Sequence, residues 1–297
     1  LKSNRFVSLG LGLLLLWLLV ITFLRANLQT PVRLFSDEYD RFIYFERGAW
    51  FTEHLVPYRD VLSEYPQVPT YFFGLVRAVT LGEGNIDIAY WKFSSAFSLL
   101  MLVILAATIE LLYRMLPTKK YRAYLLLLPA PLFFSFNRFD ILPACLSLLS
   151  YKMLREEKWD ASALLLGVGA LTKWYPALFM PAYLAYYYQT RKRIQWRVIV
   201  IFGVTCSILL LPTLISGGID ALLVPYRFHM ERGLETVSLP TLVGRGVEAL
   251  FNIHANQQFY SWTFFLLQVC PSLLVIWARP NTGKKLLNWC ILITCTF

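Results

Sequence analysis

Charge is scarce in this chain. Only 15% of its 297 residues are Asp, Glu, Lys or Arg, against 57% hydrophobic and 16% aromatic, and mean hydropathy is +0.53. Soluble domains carry about 25% charged residues, so the composition reads as an all-α, polytopic integral membrane helical bundle, with residues 1–297 as a single membrane-embedded domain. Histidine is rarer still: His54, His229 and His254 are far apart and lack i, i+4 partners, which speaks against a His-built metal site. The five cysteines (Cys145, Cys206, Cys270, Cys290, Cys295) all lie inside apolar runs, leaving no disulfide framework and no paired metal spacing. There is no P-loop, no G-x-G-x-x-G before a helix and no tandem repeat, so nucleotide-driven chemistry has no visible site. No cofactor and no metal are expected.

The apolar runs are long and numerous: about 6–25, 89–115, 123–136, 139–154, 161–173, 174–188, 198–215, 259–278 and 286–297. Residues 6–25 are too long and too uniformly apolar for a signal peptide and are expected to stay as a helix. Beginning with Leu1 and stopping inside an apolar run at Phe297, the chain is expected to be C-terminally incomplete. Several runs fall short of the ~20 residues a perpendicular span needs. Two pairs are parted by polar groups, at Asn137-Arg138 and at Thr172-Lys173-Trp174-Tyr175-Pro176. Broken helices at membrane depth are tolerated only where protein or a water-filled cavity satisfies the backbone. Two helical hairpins with tips in an aqueous cavity are therefore expected.

The net charge of +10 is not a nucleic-acid signature, because the bases sit in short loops between apolar runs. With the amino terminus inside, each run crossing once and 68–81 lying at the interface, 16 of the 28 basic residues fall inside with only four of the 18 acids. That is the bias of the positive-inside rule. The same threading puts the polar constellations on the outer face: a first loop at 26–88 with its interfacial helix, the two breaks, and a long loop at 216–258.

Seven acids crowd residues 36–66: Asp37, Glu38, Asp40, Glu46, Glu53, Asp60 and Glu64. Asp37 and Glu38 lie just past the first apolar run with Tyr39, Tyr44 and Phe45 nearby, and a carboxylate in such a half-dry setting can serve as a general base; the plainer reading is a solvated rim charge. Tyr58, Asp60, Glu64 and Tyr65 form a second cluster suited to sugar hydroxyls, or else a structural turn. Arg138 and Asp140 either pair with each other to pin the hairpin or contact substrate. Lys173 has no acid nearby in sequence and must find an anion or water. Arg227, His229 and Arg232 can hold phosphate oxygens, unless they simply line an amphipathic helix.

Ser36-Asp37, Pro57-Tyr58-Arg59-Asp60, Glu64-Tyr65-Pro66, the run Phe136-Asn137-Arg138-Phe139-Asp140-Ile141-Leu142-Pro143-Ala144, Leu171-Thr172-Lys173-Trp174-Tyr175-Pro176, and Glu231-Arg232-Gly233-Leu234 before Ser238 occur in that order over about residues 36–240. This series resembles the polyprenol-phosphate-sugar-dependent membrane glycosyltransferases of family 87, in the GT-C superfamily. The resemblance implies a GT-C-type bundle with short broken helices and extracytoplasmic loops. It also implies transfer of a sugar, most commonly mannose, from a polyprenyl-phosphate donor to an acceptor hydroxyl on a lipid or glycan, with inversion, at the outer face of a bacterial plasma membrane. An acid of the first loop is then the base, which maps onto Asp37 with Glu38 as the alternative. Lys173, Arg227, His229 and Arg232 become the phosphate-binding set, and Tyr58, Asp60, Glu64, Tyr65, Arg138 and Asp140 the substrate-binding set. Partners would be the donor, the acceptor and membrane lipids, and no nucleic acid. A transporter or flippase of polyprenyl-linked glycans would also line a polar cavity with broken helices, but calls for inverted repeats, and none is legible. A scaffold whose loop binds partners would tolerate loss of the Asp37 carboxylate.

Overall fold

The computed structural model describes residues 38–231, 239–251 and 257–296, with positions 12, 13 and 16. Within them the chain is all-α. Twelve α-helices run in the order α1 (Glu38–Arg47), α2 (Ala49–Thr52), α3 (Gln67–Arg77), α4 (Ile86–Met115), α5 (Pro129–Asn137), α6 (Ile141–Arg155), α7 (Trp159–Thr172), α8 (Met180–Arg191), α9 (Trp196–Glu231), α10 (Leu239–Phe251), α11 (Gln257–Ala278) and α12 (Gly283–Thr296). Three short 3-10 helices join some of them. The β-structure among the described residues is a lone bridge between Pro57 and Val61.

Helix α4, with 30 residues, is long and apolar enough to cross a membrane, and so is most of α9. Its start is set by Asn85, whose side-chain oxygen accepts from the backbone N–H groups of Asp87 (2.8 Å) and Ile88 (3.1 Å); this satisfies donors that a helix otherwise leaves open. Asp87 in the first turn and Arg114 in the last complement the helix dipole. Helices α5 and α6 together pass the same test but are bent by 104° at the break. Arg138 there is extended (φ −126°, ψ 154°), and Pro129 at the start of α5 needs no donor. Lys173 is extended in the same way (φ −155°, ψ 144°) between α7 and the 3-10 turn Tyr175–Phe179. Both expected breaks are present.

One stretch differs from its sequence reading. Residues 216–231, the start of the long loop expected over 216–258, lie in α9, which continues past a kink at Gly218, and α10 occupies Leu239–Phe251. Gly218 has φ 71° and ψ −167°, a region that only glycine occupies readily. The polar residues at 226–231 suggested a loop, but they ride on a helix whose direction the glycine has reset.

Two cores hold the bundle. The first is aromatic: Tyr44 of α1 stacks on Phe73 of α3 (4.5 Å, 15°), Phe73 meets Phe139 edge-on at 5.7 Å, and Phe93 stacks on Phe97 of α4 at 6.1 Å. Such pairs add about 0.5–1.5 kcal/mol each beyond the area they bury. The second gathers Tyr151, Leu154, Leu166, Phe179, Tyr183, Leu286 and Ile293 from α6, α7, the 3-10 turn before α8, α8 and α12. Helix α6 approaches α7 closely because small residues line the contact, and the Ser150 hydroxyl donates to the Ser162 carbonyl at 2.8 Å. The first core packs α1 and its loop against the α5–α6 break.

Candidate active site

Helix α1 is where the site begins. Asp40, Tyr44 and Arg47 recur at i, i+4 and i+7 and so share one face. Asp40 forms a close ion pair with Arg138 at the α5–α6 break (2.8 Å). Arg47 donates to Glu64 at 2.9 Å, and the Glu64 side chain is only 10% exposed. A third pair joins Lys173 to Asp140 across the two breaks, with both side chains more than a third exposed.

These pairs surround two buried phenols. The Tyr44 and Tyr65 rings meet edge-on at 5.5 Å, and both contact Phe139. Burial pushes the Tyr44 hydroxyl well above its ordinary value, and Tyr65, Asp40 and Asp140 push it in the same direction. Burial does the same to Tyr65, reinforced by Glu64 and Asp40. Asp40, Asp140 and Glu64 thus face one small aromatic floor from three different elements. Their charges are balanced by Arg138, Lys173 and Arg47.

The end of α9 closes the far side. Tyr226 stacks on Trp174 (5.1 Å, 8°), and His229 meets the same indole at 4.8 Å. The His229 Nε2 lies 3.1 Å from the Glu64 carbonyl, tying α9 to the first loop. Arg227 pairs with Asp220 at 3.0 Å on the exposed side of the same helix.

The remaining expected residues fall as follows. Glu38 is exposed at the start of α1, where its carbonyl accepts from the Tyr90 hydroxyl at 3.3 Å. Asp37 and Arg232 lie outside the described residues. Tyr58 is 2% exposed; its hydroxyl donates to the Tyr65 carbonyl at 3.0 Å and sits 2.9 Å from the Thr70 hydroxyl, so it supports the loop from beneath. Asp60 accepts from Arg59 (2.8 and 2.9 Å) and from the Val56 N–H (2.9 Å), which hold its carboxyl down at about 2. Its partners are local, whereas Glu64, Tyr65, Arg138, Asp140, Lys173 and His229 are brought together. Sequence reasoning passed over Asp40, Tyr44, Arg47 and Tyr226 as site residues. The i, i+4, i+7 spacing of the first three was the available signal.

Among the described residues no group of three His, Cys, Asp or Glu side chains is arranged to hold a metal ion. A cavity of about 280 Å³ starts beside the site, lined by Ala144 and Ser147 of α6, Tyr175, Phe179 and Tyr183, and Leu287, Cys290 and Ile291 of α12. Tyr175 is two residues from Lys173, and Ala144 one turn beyond Asp140.

The model of glycosyltransferase family 87 matches residues 72–297. The chain belongs to glycosyltransferase family 87. This family 87 member is accordingly a membrane glycosyltransferase with an all-α GT-C fold. The match takes in Arg138, Asp140, Lys173, Trp174, Tyr226, Arg227 and His229, and begins after the loop that carries Asp40, Glu64 and Tyr65. No curated protein and no solved structure matches the chain.

Proposed function

We propose that this family 87 enzyme moves a hexose, mannose-like in class, from a polyprenyl-phosphate donor to an acceptor hydroxyl with inversion, on the extracytoplasmic side of the membrane. The observation that carries this reading is the convergence of Asp40, Asp140 and Glu64, each with its own cation, on the Tyr44–Tyr65 floor. Acids of the first loop and cations of the breaks meet there, which is what proton removal and phosphate departure together require.

In this reading Asp40, oriented by Arg138, takes the proton of the acceptor hydroxyl. That oxygen bonds to the anomeric carbon while the bond from that carbon to the phosphate oxygen breaks, and the electron pair leaves with the phosphate. Lys173 and His229 stabilise the departing charge, the kind of preorganised electrostatic help that supplies much of a transferase's rate. Asp37 and Glu38 remain neighbouring carboxylates in sequence, and Arg227 and Arg232 are kept as further candidates for the donor phosphate. Donor phosphate at Lys173 places the first units of a polyprenyl chain at the mouth of the apolar cavity by Tyr175. The excess of basic residues in the opposite loops supports the outward placement of the site.

The experiment is to incubate the purified, full-length protein with a panel of polyprenyl-phosphate sugars and membrane acceptors and to follow products by mass spectrometry. Transfer from at least one donor, with inverted anomeric configuration, is expected. Folded protein that transfers from none contradicts the proposal.

A further inference from the structure

The apolar cavity beside the site has a direction. On α6 its lining falls at Ala144, Ser147 and Tyr151, an i, i+3, i+7 face about 10 Å long at ~1.5 Å per residue. The Lys173–Asp140 pair stands at its polar end, because Asp140 precedes Ala144 by one turn and Lys173 precedes Tyr175 of the facing wall by two residues. At the other end the Tyr151 hydroxyl donates to the Gly283 carbonyl at 3.0 Å and joins α6 to the start of α12. Helix α12 then runs back along the groove toward the break, so Leu287 lines its deep end.

Floor and rim differ. Ser147, Phe179, Tyr183 and Cys290 are buried, whereas Ala144, Leu287 and Ile291 are exposed, so the groove opens along its length. Small side chains at Ser147 and Cys290 lie among the rings of Tyr151, Tyr175, Phe179 and Tyr183, which makes the floor broad and almost wholly apolar. Flat, methyl-branched segments suit such a floor better than a thin straight chain does. The volume is about 280 Å³, room for roughly nine non-hydrogen atoms at ~30 Å³ each, a water's share of the liquid. Two five-carbon isoprene units fill it.

We propose that this groove gauges the donor lipid: it takes the first two isoprene units behind the phosphate, and the rest of the chain leaves over the exposed rim into the bilayer. The inference rests on the reading that the donor phosphate meets Lys173, and it adds a limit to that reading. Recognition of the chain ends at ten carbons.

The test needs no sugar transfer. Purified full-length protein is titrated by native mass spectrometry with dimethylallyl, geranyl, farnesyl and decyl monophosphates, which carry five, ten and fifteen isoprenoid carbons and ten straight-chain carbons. Affinity is expected to rise by about tenfold or more from dimethylallyl to geranyl phosphate, part of what burying five further carbons can supply, and to change little from geranyl to farnesyl phosphate. Leu287→Trp, which fills the deep end from a partly exposed position, should bring geranyl phosphate down to the level of dimethylallyl phosphate and leave the latter unchanged. Leu164→Trp makes the same change at an exposed position of α7 outside the groove and should bind as the wild type does. Thermal melts confirm that the variants fold, and Ile291→Trp on the exposed rim repeats the test if Leu287→Trp does not. A further rise of similar size from geranyl to farnesyl phosphate, decyl phosphate bound as tightly as geranyl phosphate, or equal weakening of the five- and ten-carbon ligands in Leu287→Trp would each overturn the proposal. Protein that binds these phosphates as expected but transfers no sugar contradicts the transferase reading alone.

Discussion

The guanidinium of Arg138 lies 2.8 Å from the carboxylate of Asp40, not against Asp140 two residues along the chain. Asp140 has turned to Lys173 instead. The extended backbone at Arg138 points neighbouring side chains to different sides of the break, so each finds a partner on another element. The Asp40–Arg138 pair is partly exposed and worth at most about 1 kcal/mol of stability. Its consequence lies in orientation. Arg138→Gln is expected to lower kcat by about a hundredfold, the cost of misplacing a reacting group by about 1 Å, while the melting temperature stays within a few degrees; transfer assays and thermal melts on the same preparation check this.

Lys173 joins the two breaks and stands in the open site. Lys173→Met should raise the donor KM by about 10- to 100-fold, as expected for losing a charged hydrogen bond worth ~1.5–3 kcal/mol. Asp140→Asn should change donor KM in the opposite direction, because it removes the anion that competes for the same ammonium. Steady-state kinetics with a varied donor concentration separates the two.

Gly74 packs under the Trp50 ring, where a Cβ would come within 2.3 Å of the indole. Trp50 is held there by its N–H bond to the Thr70 carbonyl at 2.9 Å and cannot simply swing away. Gly74→Ala should therefore destabilise the protein by about 1–3 kcal/mol through overpacking. Gly203 on α9 has nothing within 4 Å of its would-be Cβ, so Gly203→Ala should be neutral or stabilising by about 0.5–1 kcal/mol. Denaturation in one detergent compares them.

Alkaline pH offers a test of the aromatic floor. Tyr44, Tyr58 and Tyr65 all have hydroxyls pushed up by burial, so each stays protonated in the folded protein at a pH where the unfolded chain has lost its proton. The stability they contribute is complete below about pH 10, the ordinary tyrosine value, and is lost as pH rises beyond it. Each contributes a slope of up to about 1.4 kcal/mol per pH unit in that window. Tyr44→Phe should make the fall of melting temperature between pH 10 and 11 shallower than in the wild type, as differential scanning fluorimetry would register.

Run lengths and polar interruptions made the helical bundle and its two breaks legible, because a membrane permits few other readings of Asn137-Arg138 and Thr172-Lys173. Pairing was not legible in the same way. Lys173 finds its acid 33 residues away and Arg47 finds Glu64 at a separation of 17, distances over which no periodicity speaks. Asp40 looked like one of seven loop acids until α1 turned it toward Arg138. The sequence places the polar segment from Tyr226 to Glu231 in an outer loop, with an amphipathic helix as its plainer reading, and it is helical; the kink at Gly218 leaves no periodic trace.

The most direct measurement compares wild type, Asp40→Asn, Asp37→Asn and Glu38→Gln in the polyprenyl-phosphate-sugar transfer assay, each verified as folded by its thermal melt. The account expects product with inverted configuration from the wild type and a loss of about 10²–10⁴ in kcat for Asp40→Asn, the usual worth of a general base, with donor KM little changed and the other two variants active. Product formed at the wild-type rate by Asp40→Asn would contradict it.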